Sequence, residues 1–201
     1  MNIADEKGFT PVRTALRKGH DQVLAQLIAA RADVNKADEE GGSLVYAAAW
    51  EGHERVLALL IAARADVNKA EEEGFTPVCA AASQGHDQVL AQLIAARADV
   101  NQANGQGSTP VCACATQGHD QVLVQLIAAM ADVNKADKGG RTPVWKAVSE
   151  SHEEVLAQLI AARADVNKAD EEGFALVRAA VAEGRDQVLA QLIAARADVN
   201  K

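Results

Sequence analysis

Nowhere in this sequence do about 18 apolar residues run uninterrupted, which excludes a membrane-spanning helix. The opening residues, Met1-Asn2-Ile3-Ala4-Asp5-Glu6-Lys7, lack the apolar core of a secretory signal. Basic residues are in deficit: 20 Lys and Arg stand against 28 Asp and Glu, a formal net charge of -8. That balance excludes a nucleic-acid groove, which needs clustered cations to displace counterions, and it excludes an anionic membrane surface. Cysteine is scarce and odd in number, with Cys79, Cys112 and Cys114 alone, which fits a reducing compartment better than a disulfide framework. A soluble, intracellular, cytoplasmic protein is the expectation. No Gly-rich, Lys-containing phosphate loop occurs, and no serine stands as a nucleophile beside a His-Asp pair. The expectation is therefore no enzyme and no cofactor. Aromatic residues number only six, and almost half the chain is apolar chiefly through Ala, Val, Leu and Ile.

What is present is a period. Gly recurs every 33 residues at Gly8, Gly41, Gly74, Gly107, Gly140 and Gly173, and Asp-Val-Asn recurs from Asp33-Val34-Asn35 to Asp198-Val199-Asn200. Such a period marks a stacked solenoid, in which each repeat covers the apolar face of its neighbour. The boundaries are 8–40, 41–73, 74–106, 107–139, 140–172 and 173–201, with 1–7 the tail of a partial preceding repeat. One elongated domain over 1–201 is the economical reading.

Within the first repeat, Thr10-Pro11 sets a hydroxyl N-cap before a proline at the first helical position, where the missing N–H costs nothing. A short helix follows with Val12, Ala15 and Leu16 on one face until Gly19 stops it. A second helix starts near His20-Asp21, its carboxylate meeting the positive end of the helix dipole. Its apolar stripe is Val23, Leu24, Leu27 and Ile28, spaced for a helix. The polar stretch Asn35 to Gly41 predicts a projecting hairpin turn. Small residues such as Ala15, Ala48 and Ala81 let neighbouring helices approach closely.

These residues resemble the ankyrin repeat family. Its Gly-x-Thr-Pro-Leu-His-x-Ala opening stands here as Gly74-Phe75-Thr76-Pro77-Val78-Cys79-Ala80-Ala81. Its Gly-His junction stands as Gly19-His20, Gly52-His53, Gly85-His86 and Gly118-His119, and its Ala-Asp-Val-Asn close as Ala32-Asp33-Val34-Asn35. The resemblance covers essentially the whole chain. It implies an all-α ankyrin-repeat solenoid of stacked helix-turn-helix pairs with projecting hairpin loops. Several positions depart from the pattern. The motif His is replaced by Arg13, Tyr46, Cys79, Cys112, Trp145 and Arg178. Thr-Pro becomes Ser43-Leu44 and Ala175-Leu176, which weakens the start of the first helix there. The Gly that ends the second helix is Arg31, Arg64, Arg97, Met130, Arg163 or Arg196, each costing roughly 1 kcal/mol if left-handed.

Comparing the repeats with one another separates scaffold from address. Val-Leu-Ala-Gln-Leu-Ile-Ala-Ala reappears in four of six second helices, with one substitution in each of the others. Variation collects in the hairpin and first helix, where all six aromatics lie: Phe9, Tyr46, Trp50, Phe75, Trp145 and Phe174. The resemblance implies that hairpin tips and first helices line a concave face where another protein docks. Aromatics and Arg dominate interface energy. The candidate groove comprises Phe9, Arg13, Arg17, Lys18, Tyr46, Trp50, Phe75, Arg141, Trp145 and Lys146. The bland alternative has Phe9, Phe75 and Phe174 packing against adjacent hairpins. The acidic tips Asp38-Glu39-Glu40, Glu71-Glu72-Glu73 and Asp170-Glu171-Glu172 read as a solvated edge.

Five histidines, His20, His53, His86, His119 and His152, occupy one column. Stacking sets successive rings roughly 8–10 Å apart, too far to share a zinc ion whose ligands lie about 2 Å away. Cys79 and Cys112 are also one repeat apart, Cys114 replaces a buried Ala, and Cys112 is expected to be the exposed thiol. The ends carry no polar caps, and Met1-Asn2 stands in the register of Val34-Asn35. A fragment of a longer array, a subunit buried at one end in an assembly, or an engineered array all remain open. In the assembly reading, docking uses the C-terminal repeat, with Leu192 and Ile193 exposed.

Overall fold

The computed structural model describes residues 10–36, 42–168 and 176–199. Twelve helices and no strand occur among them. They divide into two compact units, Met1–Asp99 and Val100–Lys201. The N-terminal unit holds α1 (Pro11–Arg17), α2 (Asp21–Ala29), α3 (Leu44–Glu51), α4 (Glu54–Ala62), α5 (Pro77–Gln84) and α6 (Asp87–Ala95). The C-terminal unit holds α7 (Pro110–Gln117), α8 (Asp120–Ala128), α9 (Pro143–Ser149), α10 (Glu153–Ala161), α11 (Leu176–Ala182) and α12 (Asp186–Ala194). No helix among the described residues is long and apolar enough to cross a membrane.

Helices of seven to nine residues are unstable alone in water, so packing must hold them. In the N-terminal unit, first helices pack on first helices (α1 on α3, α3 on α5) and second on second (α2 on α4, α4 on α6). The C-terminal unit repeats the scheme, with α7 on α9 and α9 on α11, and α8 on α10 and α10 on α12. Second helices supply the bulk of each core: Leu57, Leu60, Leu90 and Leu93 in one, Leu123, Leu126, Leu156 and Leu159 in the other, all fully buried. First helices contribute Val and Ala, including the buried Ala15, Ala48 and Ala81. Their small side chains allow that close approach. In the N-terminal unit α4 is covered by α2 and α6 by α4, whereas α2 has no such cover among the described residues. Val23 accordingly departs from its expected place in the stripe and is 47% exposed, against 1% for Val56 and Val89.

The helix starts follow the capping signals. Thr10, Thr76, Thr109 and Thr142 each accept the amide of the third residue onward, at 3.1–3.3 Å. Ser43 does the same for Tyr46 at 3.0 Å and also donates to the Lys69 carbonyl. The expected weakness at Ser43-Leu44 is thus corrected, because the hydroxyl makes the cap and proline only assists. Ala175 lies outside the described residues. Arg31, Arg64, Arg97, Met130, Arg163 and Arg196 do take left-handed backbone, with φ between 59° and 63°.

The invariant Asp-Val-Asn has a reason the period alone does not reveal. In the N-terminal unit Asn35 Oδ1 accepts the Asp66 amide at 2.8 Å, and Asn68 the Asp99 amide at 2.8 Å. In the C-terminal unit Asn101, Asn134 and Asn167 accept the amides of Asp132, Asp165 and Asp198, each at 2.7 Å. The carboxylates of Asp33, Asp66, Asp132 and Asp165 also accept the amide two residues on. The motif is a polar seam between successive repeats.

Candidate recognition surface

The site is built by helices whose scaffold faces are already committed to packing. Along a first helix, Val12, Val45, Val78, Val111 and Val144 point inward and are buried. The residues one and five positions later then fall outside that face, which places Arg13 with Arg17 and Tyr46 with Trp50.

In the N-terminal unit, Tyr46 and Trp50 stack with ring centroids 6.2 Å apart and planes at 26°. Tyr46 is half-buried, while Trp50 is 44% exposed. Burial, aided by the carboxylates of Glu71 and Glu73, raises the Tyr46 phenol above its ordinary range, and Arg13 partly opposes this. Arg13 is half-buried and its Nη1 donates to the Ser43 carbonyl at 3.4 Å, so it bridges α1 to the cap of α3. Arg17 and Lys18 lie exposed at the end of α1. Phe75 is half-buried in a hairpin closed by Glu71, whose amide donates to the Phe75 carbonyl at 3.1 Å and whose carboxylate accepts the Phe75 amide at 2.8 Å. Glu71 is therefore no mere solvated tip. Phe9, Phe174, Asp38-Glu39-Glu40 and Asp170-Glu171-Glu172 lie outside the described residues.

In the C-terminal unit, Arg141, Trp145 and Lys146 come together. The Arg141 guanidinium carbon sits 5.2 Å from the indole centroid and Lys146 Nζ 5.6 Å from it. Asp137 organises both: its Oδ1 accepts the amides of Gly139 and Arg141 at 3.0 Å, and its Oδ2 pairs with Lys146 at 3.0 Å. Burial pushes the Asp137 carboxyl up, but the Lys146 ammonium and the two amides outweigh it and hold it below the usual carboxylate range. Sequence reading missed Asp137. The available signal was its register, three residues before Gly140, where Asp38, Glu71, Asn104 and Asp170 stand in the other repeats.

The thiols are sealed. Cys79, Cys112 and Cys114 are all buried, which corrects the expectation of an exposed Cys112. Burial raises the pKa of both Cys112 and Cys114, the latter far above the ordinary range. Neither is a thiolate at neutral pH, so neither is poised as a nucleophile. Among the described residues no three His, Cys, Asp or Glu side chains converge to hold a metal ion. His86 and His152 donate from Nε2 to the carbonyls of Trp50 and Thr116, at 3.1 and 3.0 Å, tying second-helix starts to preceding first-helix ends. A cleft of about 440 Å³ on the N-terminal unit is lined by Gly19, His20, Asp21, Gln22, Val23 and Arg55. Its Arg55–Asp21 pair is long at 3.8 Å, with the Arg55 side chain 89% exposed, and contributes little.

Comparison with known proteins agrees with this architecture. Family models described as ankyrin repeats match residues 44–137 and 112–201 (three copies) and residues 12–61 (many copies). A solved ankyrin repeat domain from Acinetobacter baumannii is similar at TM-score 0.87 and 25% sequence identity, covering 94% of this chain and 98% of that one. No curated protein sequence matches.

Proposed function

The chain belongs to the ankyrin repeat family, whose repeats generally serve as protein–protein interaction modules, and from that premise we propose that it recognises another protein through the face made by its hairpin tips and first helices. Trp50 carries this reading. Its indole is 44% exposed, the largest side chain among the exposed apolar residues described, and offers a partner aromatic area to cover. Beside it stands Tyr46, and the same column in the C-terminal unit holds Trp145 under two cations. Trp, Tyr and Arg are the residue types in which binding energy concentrates. The second helices barely change between repeats, so differences in affinity between partners are written on this face. The work is binding without catalysis.

Trp50→Ala combined with Arg17→Ala tests the proposal. Partner capture from the native source, read by quantitative mass spectrometry, should fall about thirtyfold or more, the loss of roughly 2 kcal/mol expected of an anchor. Helicity should be retained. A folded double variant that captures the same proteins at unchanged yield rejects this face.

A further inference from the structure

We propose that the Arg141–Trp145–Lys146 cluster receives a carboxylate from an acidic peptide segment of the partner, an inference that rests on the recognition reading above and assigns the partner's chemistry. The cluster holds three cations, Lys138, Arg141 and Lys146, against one carboxylate, Asp137. Asp137 is spent on Lys146 at 3.0 Å. Lys138 and Arg141 are both exposed, and neither forms an ion pair among the described residues. The surplus is therefore local and positive on a chain whose net charge is -8. Complementarity between this local positive charge and an acidic segment favours their encounter.

Preorganisation strengthens the case. A free arginine loses rotamer entropy when it pairs, but this guanidinium is already laid on the indole at 5.2 Å. Its backbone is fixed by the Asp137–Arg141 hairpin bonds, in which Asp137 donates to the Arg141 carbonyl and Arg141 to the Asp137 carboxylate, both at 3.0 Å. Gly139 clears the seat: a Cβ there would stand 3.3 Å from Arg141 Nε. The planar fork matches a carboxylate in two parallel hydrogen bonds. Trp145 is half-buried, so its remaining surface offers an apolar shelf beside the charge. An acidic residue followed by an apolar one fits both. Nucleic acid does not fit, because its phosphate rows need a longer run of cations than this cluster supplies.

The test uses the full ¹⁵N-labelled chain, titrated with a short peptide of alternating Glu and Leu, its Gln-for-Glu counterpart and its Lys-for-Glu counterpart. The acidic peptide should shift the Trp145 indole and Arg141 Nε signals, with affinity falling about tenfold from low salt to roughly 0.3 M salt. Arg141→Gln should weaken it at least about fivefold, and Arg141→Lys less, since a point charge keeps attraction but loses the fork. Equal binding of the Gln peptide at those two signals overturns the carboxylate assignment while leaving the recognition face standing. Shifts confined to residues outside the hairpins and first helices with every peptide overturn both. Undiminished binding of the acidic peptide to folded Arg141→Gln also overturns the assignment.

Discussion

Two of the glycines that end first helices, Gly118 and Gly52, are required for two separate reasons. Gly118 has φ +78°, and a Cβ there would also lie 2.6 Å from the His152 ring. Gly52 stands in the same relation to His86, at 2.7 Å. Where the fifth repeat places Ser151 at this position, with φ +61°, the next repeat has exchanged its histidine for Arg185. The Arg185 guanidinium donates to the Val148 and Ser149 carbonyls, doing the work of the imidazole with a longer, thinner reach. Gly52 with His86, Gly118 with His152 and Ser151 with Arg185 are thus matched pairs. Gly118→Ser should cost about 1–3 kcal/mol from left-handed strain plus displacement of the ring. Adding His152→Arg should recover part of that loss, giving a coupling of roughly 1 kcal/mol in a urea-denaturation double-mutant cycle. Purely additive effects would refute the pairing. The sequence showed the histidine column. What those rings hold was not legible, because the bond is to a carbonyl about one repeat upstream and carbonyls leave no mark in sequence.

At the scale of elements, local chemistry was readable and long-range polar chemistry was not. Thr-Pro announced the helix starts, and Gly19 the end of α1, because caps are made by residues within one turn. The hairpin at Asp137–Arg141 shows the opposite case. Its closing carboxylate went unmarked in the sequence, yet it accepts two amides and holds Lys146. That arrangement has a pH signature. The folded carboxyl titrates below its unfolded value, so its contribution is complete above about pH 5 and is lost as pH falls through the lowered folded pKa, below about 4. Asp137→Asn should therefore destabilise the protein at neutral pH. The stability difference between the two proteins should shrink steadily below about pH 4, read by thermal melts across pH. A pH-independent difference would mean that the ion pair contributes nothing.

On the scale of the whole molecule, the last repeat shows how exposure is set by neighbours and not by letters. Leu192 and Ile193 were both expected at the surface, but Leu192 is fully buried and Ile193 is 52% exposed. Leu192 points into the pair made by α11 and α12, whereas the outward positions are Ile193 and Val181, the latter 60% exposed where its counterpart Val148 is buried. Leu192→Glu should lower stability by more than about 3 kcal/mol, since it buries an unpaired charge. Ile193→Glu should change it by no more than about 0.5 kcal/mol. Chemical denaturation of both variants checks the contrast, and similar losses would place Ile193 in the core after all.

The amino-acid sequence alone determined the repeat length, the helix pairs, the caps and the division into constant scaffold and variable face. Each of these depends on contacts within one repeat, or on the same contact made again one period later. Tertiary structure alone decided which variable residues meet: Tyr46 on Trp50, and two cations on Trp145 with Asp137 holding one of them. It also decided which thiols and leucines are sealed. Those outcomes depend on distances between side chains on separate turns and hairpins, set by how neighbouring helices pack. A one-dimensional pattern records the register of such residues but not whether their side chains touch.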